Sequence, residues 1–355
     1  MMPAQAPMQM PLNVSRILVI RPGGIGDAVF LLPVFKAIKL KNPQIRIDVL
    51  CERRNEAVFS SQMHLVDHVF RYDSLADLSG LCNEYYDIIV DTEQWHYSSA
   101  LIALFMKAPV KIGFASRSLR GKFFNIAVKY DVDAYELENF SALFFGLIGP
   151  QGQIKDISNS YLLSQDLISW AELQIPRNSV TLAIGASVPE RCLSTEQVII
   201  LAKVILRRGF HPVFIGGRDA LVQSHRIMEQ LDNSKGSNFV GKVSLSESVA
   251  LIKASRMFIG TDSGLMHLAC AVGSKVIAFF GAGNMKKWMR ERPGQISVNE
   301  HVPCSPCTAF GYGLPTCHGT FHCLRKMDLD AVLDQYLFSP PLEGGDRGRG
   351  KVNNV

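Results

Sequence analysis

The stretch SRILVIRPGGIGDAVFLLPVFKAIKLKNPQIRIDVL, residues 15–50, decides the fold. SRILVI (15–20) is an unbroken apolar run of strand length, the pattern of a strand covered on both faces. A glycine-rich turn follows, and AVFLLPVFKAIKLKN then places apolar residues at helical spacing before a second strand, IRIDVL (45–50). Strand, turn, helix and strand in this order make a βαβ unit with parallel strands.

The rhythm continues through YYDIIVD (85–91), the helical SSALIALFMK, VKIGF (110–114) and a helix over 135–148 that ends at GPQG. After GPQGQIKDISNS it restarts with SVTLAIGAS (179–187), a helix over 194–208, HPVFIGG (211–217) and a helix to 231. NFVG (238–241), a helix over 245–254 and RMFIGTDSG (256–264) complete the copy. The class is therefore α/β, with two Rossmann-like doubly wound domains facing across a cleft. The expected divisions are a flexible N-terminus (1–14), an N-terminal domain (15–165), a C-terminal domain (166–338) and a disordered tail (339–355), SPPLEGGDRGRGKVNNV. Ligands in such sheets lie beyond the carboxyl ends of the strands.

A chain of 355 residues with 47% hydrophobic and 19% charged residues has room for two such cores. Its net charge of +5 suits a nucleotide, a phosphorylated substrate or an anionic membrane surface, and no dense basic run argues for nucleic acid. The longest apolar runs, such as ALIALFM (100–106), fall far short of the roughly 18 residues a membrane span needs. The opening MMPAQAPMQMPLNV lacks the basic and apolar regions of a secretory signal, so a cytoplasmic location is expected. Eight cysteines, four of them scattered (Cys51, Cys82, Cys192, Cys270), do not form a disulfide scaffold.

The chemistry concentrates in FIGTDSGLMHLACAVGSKVIAFFG, residues 258–281. A strand runs into a tight Thr-Asp-Ser-Gly turn and then a helix of small residues. The N–H groups of Ser263, Gly264 and Leu265 then point outward at a helix N-terminus, a site for a diphosphate. Gly264 and Ala269 would let helix and ligand approach closely, while Thr261, Asp262 and Ser263 add hydroxyl and carboxylate groups. The plainer alternatives are that Asp262 or Ser263 only caps the helix and that His267 only packs.

The first turn has a rival reading as a dinucleotide fingerprint, supported by Gly24, Gly26 and Glu52 after the second strand. Three features weigh against it. Val29 occupies the third glycine position, Asp27 would face a pyrophosphate with like charge, and Pro22 stiffens the approach.

TDSGLMHLACAVG (261–273) followed by VIAFFG (276–281), together with RILVIRPGGIGDAVFLLPVFKAIK (16–39), resembles the ADP-heptose lipopolysaccharide heptosyltransferases. These form glycosyltransferase family 9, of the two-domain GT-B architecture. The resemblance covers residues 15–335 and is most specific at its two ends. It implies inverting transfer of a heptose or related sugar from an ADP-sugar to a lipopolysaccharide core-type acceptor. It also implies no cofactor, no obligatory metal, no nucleic acid, and a peripheral contact with the inner membrane face.

Carried over by motif, the resemblance places Asp27 as the catalytic base, with Gly24 and Gly26 in the acceptor-side loop. It puts Ser263 and Gly264 on the diphosphate, Asp262 beside the sugar, and Thr261 and His267 in the same donor site. Val243 in GKVSL (241–245) falls at the adenine, and Asp219 in GGRDA near the ribose. The role of Asp27 also has a physical reason: an acceptor hydroxyl is a poor nucleophile, and a carboxylate must take its proton as the anomeric carbon loses ADP.

One departure stands out. Where the family often shows Lys-x-Trp-Pro, this chain has PERCLS (189–194), with Glu190, Cys192 and Leu193 in those places. Arg191 is then the local cation for the phosphates, unless it is only a solvated loop residue. The departure keeps two alternatives open: a relative using a different nucleotide-sugar donor or acceptor, and a degenerate nucleotide-sugar-binding protein without turnover.

Four weaker features remain. Cys304, Cys307, Cys317 and Cys323, with His301, His318 and His322 nearby, could hold zinc or simply pack; no metal is the expectation. Glu93 and His96 could touch the acceptor or cap a helix. Arg117, Arg120 and Lys122 form a small cationic patch suited to a phosphorylated acceptor, or a solvated loop. Trp288 could pack on the nucleotide or close the domain.

Overall fold

The computed structural model describes residues 13–117, 119–150, 154–186, 188–232, 235–308 and 322–337. The tail at 339–355 and nearly all of residues 1–14 lie outside them.

The first sheet contains β1 (Arg16–Arg21), β2 (Arg46–Cys51), β3 (His68–Arg71), β4 (Ile88–Asp91), β5 (Val110–Phe114) and β6 (Ile126–Val128). Its order is β3-β2-β1-β4-β5-β6, with every pairing parallel. The second contains β7 (Ser179–Ala183), β8 (His211–Ile215), β9 (Ser237–Asn238), β10 (Met257–Thr261), β11 (Val276–Phe279) and β12 (Gln295–Val298). Its order, β12-β11-β10-β7-β8-β9, is the same winding repeated, again all parallel. In each sheet the chain reverses its direction of winding beside the first strand, between β1 and β4 and between β7 and β10. Those two switch points are where a doubly wound sheet opens a crevice.

The apolar run of β1 is explained by its position. Ile17 pairs with Ile47 on one side and Ile88 on the other, and helices cover both faces, so Ile17 through Ile20 are buried. The helix Ile25–Lys41 is likewise enclosed, with every residue from Ala28 to Phe35 buried. An α-helix that is apolar almost all round needs neighbours on several sides. It finds them in Ile17 and Val19 of β1, in the helix Glu136–Leu143, and in Gly264–Ala271 of the other half. One hydrophobic core therefore includes Val29 and Phe30 together with Met266 and Leu268.

The helix expected over 135–148 is two pieces, Glu136–Leu143 and Phe145–Ile148. At the break the Phe144 N–H bonds the Ser141 carbonyl, a tighter turn than the α-helix, and the Phe144 ring packs on Phe35. Among the described residues no helix is long and apolar enough to cross a membrane.

Candidate active site

β1 and β10 each deliver a turn and a helix N-terminus to the same place. Gly23 makes the first turn with φ +107°, a left-handed conformation open to glycine. The helix begins at Ile25, and the second begins at Gly264, directly after β10 and Ser263. The two termini then touch. A Cβ on Gly26 would lie 2.6 Å from His267 Cδ2, and one on Gly264 would lie 2.7 Å from Ile25 Cβ. Gly264 thus gives room to the opposing helix, and Ala269 is buried in the core.

Between the two halves lies a cleft of about 640 Å³, lined by Gly24, Gly26, Asp27 and Gln94 from one side and Arg191, Asp262, Ser263, Gly264, His267 and Trp288 from the other. Asp27 sits in the first turn of its helix, with its side chain one-fifth exposed. Gln94 Nε2 donates to its Oδ1 at 3.5 Å, and Arg21 Nη2 lies 4.0 Å from its Oδ2.

Nothing in the sequence singles out Arg21, because one arginine at a strand end carries no motif. In the structure it is buried, and Nη1 donates to the Thr92 carbonyl at 2.7 Å and to Gln94 Oε1 at 3.3 Å. Burial opposes its charge, but Asp27, Glu93 and Glu136 more than compensate and raise it above the ordinary arginine value. Glu93 serves as a structural anchor: its Oε1 accepts from the N–H groups of Trp95 and His96, and its Oε2 faces Arg21 at 3.3 Å. Burial alone would raise this carboxyl; Arg21 and those two N–H groups hold it below the usual range. His96 is exposed on the cleft wall.

Beneath Gln94 lies a second buried group. Gln94 Nε2 also donates to Glu136 Oε1 at 2.7 Å, while Tyr130 OH donates to Glu136 Oε2 at 2.7 Å. Lys287, from the other half, stands 2.8 Å from that same Oε2.

On the opposite wall of the cleft, Asp262 is buried and forms an ion pair with Arg191, Nη1 to Oδ2 at 3.2 Å, without hydrogen-bond geometry. Burial pushes the Asp262 carboxyl up, and Arg191 pulls it back. His267 is buried between Phe30 and Trp288, with ring centroids 5.0 and 6.1 Å away. Burial, helped by Arg191, pushes its imidazole down to about 3, so it is neutral at physiological pH. Arg191 Nε, Asp262 Oδ2, Ser263 Oγ and His267 Nδ1 are buried without a hydrogen-bond partner. Buried polar atoms are normally paired, so the four gathered at one helix N-terminus are an exception to that rule.

Thr261 is buried at the end of β10, beneath this wall. Asp219 and Val243 stand apart from the cleft lining. Asp219 lies against Gly185, just past β7, and Val243 packs on the core before the helix Leu245–Ala254. Arg120 does not belong to a cationic surface patch: it is fully buried, its Nη2 donating to Asp91 Oδ2 at 2.6 Å. Arg117 stacks on Trp95, 4.2 Å from the ring centroid, and Lys122 is exposed. Cys304 and Cys307 are exposed while Cys323 is buried against Gly281; Cys317 lies outside the described residues. Among the described residues no group of His, Cys, Asp and Glu could hold a metal ion.

The family model of glycosyltransferase family 9 (heptosyltransferase) matches residues 78–312. Lipopolysaccharide heptosyltransferase 2 of Salmonella typhimurium is 26% identical over 294 residues, 75% of this chain and 82% of that protein. A solved glycosyl transferase family 9 protein of Veillonella parvula superposes with TM-score 0.76 at 17% identity, over 92% of this chain and 97% of that one. For the E. coli ADP-heptose lps heptosyltransferase II the values are 0.71 and 20%, over 90% and 99%. With its two matching sheets and a family match over most of its length, the chain belongs to glycosyltransferase family 9, the heptosyltransferases.

Proposed function

We propose that this glycosyltransferase moves a heptose, with inversion, from ADP-heptose to a lipopolysaccharide core-type acceptor. The observation that carries the reading is the meeting of Asp27 from one half with the Ser263–Gly264 helix terminus from the other, across a single cleft. The acceptor hydroxyl oxygen bonds to the anomeric carbon from the Asp27 side, and its proton passes to the Asp27 carboxylate. The bond from that carbon to the β-phosphate oxygen breaks, and its electron pair leaves with ADP. The departing diphosphate meets the N–H groups of Ser263, Gly264 and Leu265 and the Arg191 guanidinium, groups already fixed where its charge develops. Among the described cleft-lining residues of the second half, Arg191 is the cation, and it takes the place of the family's lysine. Asp262 holds Arg191 and faces the sugar, and Asp219 and Val243 are assigned to the ribose and adenine. The protein works in the cytoplasm, in peripheral contact with the inner membrane face.

A thermal-shift panel with ADP, GDP and UDP, run beside an assay of nucleotide release from ADP-heptose, tests this. Stabilisation by ADP together with acceptor-dependent release is expected. Stabilisation by GDP or UDP but not ADP would overturn the donor, and binding without release from any donor would overturn the enzymatic reading.

A further inference from the structure

β1 and β4 are neighbours at the switch point of the first sheet, so the turn after β1 and the loop after β4 come together. The first carries Asp27 and the second Gln94. Among the described residues Gln94 is the one donor within hydrogen-bond reach of the Asp27 carboxylate, Nε2 to Oδ1 at 3.5 Å. The nearest cation, Arg21 Nη2, lies 4.0 Å from Oδ2, too far for such a bond. Gln94 itself is buried and held at both ends of its amide. Its Oε1 accepts from Arg21 Nη1 at 3.3 Å, and its Nε2 donates to Glu136 Oε1 at 2.7 Å as well as to Asp27. Ser116 Oγ donates to its main-chain carbonyl.

These partners admit one orientation of the amide. Turned over, its oxygen would face two carboxylates, and its NH2 group would face a guanidinium, which accepts nothing. The partners are themselves fixed. Arg21 Nη1 also donates to the Thr92 carbonyl at 2.7 Å, while Tyr130 OH and the Lys287 ammonium approach Glu136 Oε2 at 2.7 and 2.8 Å. Gln94 is thus a neutral spacer between two carboxylates, with one N–H for each. We infer that Gln94 is the positioning residue of the base: it pins Asp27 through Oδ1 and leaves Oδ2 as the oxygen that receives the acceptor proton. A carboxylate tethered at one oxygen is already aimed when the acceptor arrives, whereas an untethered one is aimed for only part of the time. The inference rests on the proposed function, in which Asp27 is the base.

The test is a double-variant cycle on turnover. ADP release from ADP-heptose with a lipopolysaccharide core-type acceptor is measured for wild type, Gln94→Met, Asp27→Asn and Asp27→Asn/Gln94→Met, with donor affinity measured by calorimetry. Gln94→Met is expected to lower kcat about tenfold with donor Kd unchanged. On the Asp27→Asn background it should add nothing, since an absent base cannot be misaimed. A second loss of the same size on that background would show that Gln94 supports the cleft in general. A Gln94→Met enzyme with wild-type kcat, beside an impaired Asp27→Asn, would show that the base needs no such tether. Either result overturns the inference and leaves the proposed function standing. Asp27→Asn at the wild-type rate, or a wild type that releases no ADP, would instead overturn the proposed function, and this inference with it. If circular dichroism shows Gln94→Met unfolded, Gln94→Glu carries the same comparison. It keeps the shape of the side chain and an acceptor for Arg21, but presents a carboxylate to Asp27 in place of an N–H.

Discussion

Lys287 Nζ lies 2.8 Å from Glu136 Oε2, with both side chains fully buried and one contributed by each half of the molecule. Burial, with Asp27 nearby, pushes the Glu136 carboxyl above the ordinary range, and Lys287 opposes that rise. Glu136 in turn holds Gln94, which reaches Asp27. The pair thus connects the junction of the two halves to the residue assigned as the base.

Removing one partner leaves an uncompensated buried charge. Lys287→Met is expected to lower unfolding stability by about 3–5 kcal/mol, and the double variant Lys287→Met/Glu136→Gln to recover much of it. Urea titration of the three proteins gives the comparison. An additive double variant would mean that the pair is not coupled.

The contact of the two helix termini makes a packing prediction. Gly26→Ala or Gly264→Ala forces a methyl into His267 or Ile25, at a cost of about 1–3 kcal/mol. Because both atoms sit at the junction of the halves, each variant should also weaken ADP binding, measurable by calorimetry. Wild-type stability in both would contradict the observed closeness.

His267 provides a pH signature. Its imidazole is held near 3 in the folded protein against 6.5 as its ordinary value, so between those values the unfolded chain binds the extra proton. Its contribution is therefore fully present above pH 6.5 and is lost as the pH falls toward 3. Asp262 and Glu136, whose carboxyls are raised, act in the opposite sense. Comparison with a variant isolates the histidine: the stability of His267→Gln should fall less steeply than that of wild type on acidification below pH 6.5. Parallel curves would show that the histidine does not bear this load.

The interior strands were legible in the sequence because a strand covered on both faces must be a continuous apolar run. β1, β4, β7 and β10 carry that pattern, and the turns after β1 and β10 carry the residues that meet in the cleft. β3, β6 and β12 carry no such run. They are edge strands, short and only partly buried, as in HVFR, IAV and QISV, and nothing in such segments separates strand from loop. At the site, Asp27, Asp262, Ser263 and His267 are legible because they sit at strand-to-helix turns or in the first turn of the helix that follows. Arg21, Gln94, Glu136 and Lys287 are not, since a buried polar network is assembled by tertiary packing from residues far apart in the chain. The same blindness affected Arg120, which looks like a surface cation until Asp91 is placed beside it.

The central claim is that Asp27 takes the acceptor proton, and Asp27→Asn tests it most directly. Asparagine keeps the shape and an oxygen toward Gln94 but cannot act as the base. Steady-state rates of ADP release, with donor binding measured separately, should show turnover lowered by about 10²-fold or more and donor affinity nearly unchanged. An Asp27→Asn enzyme that turns over at the wild-type rate would contradict the account.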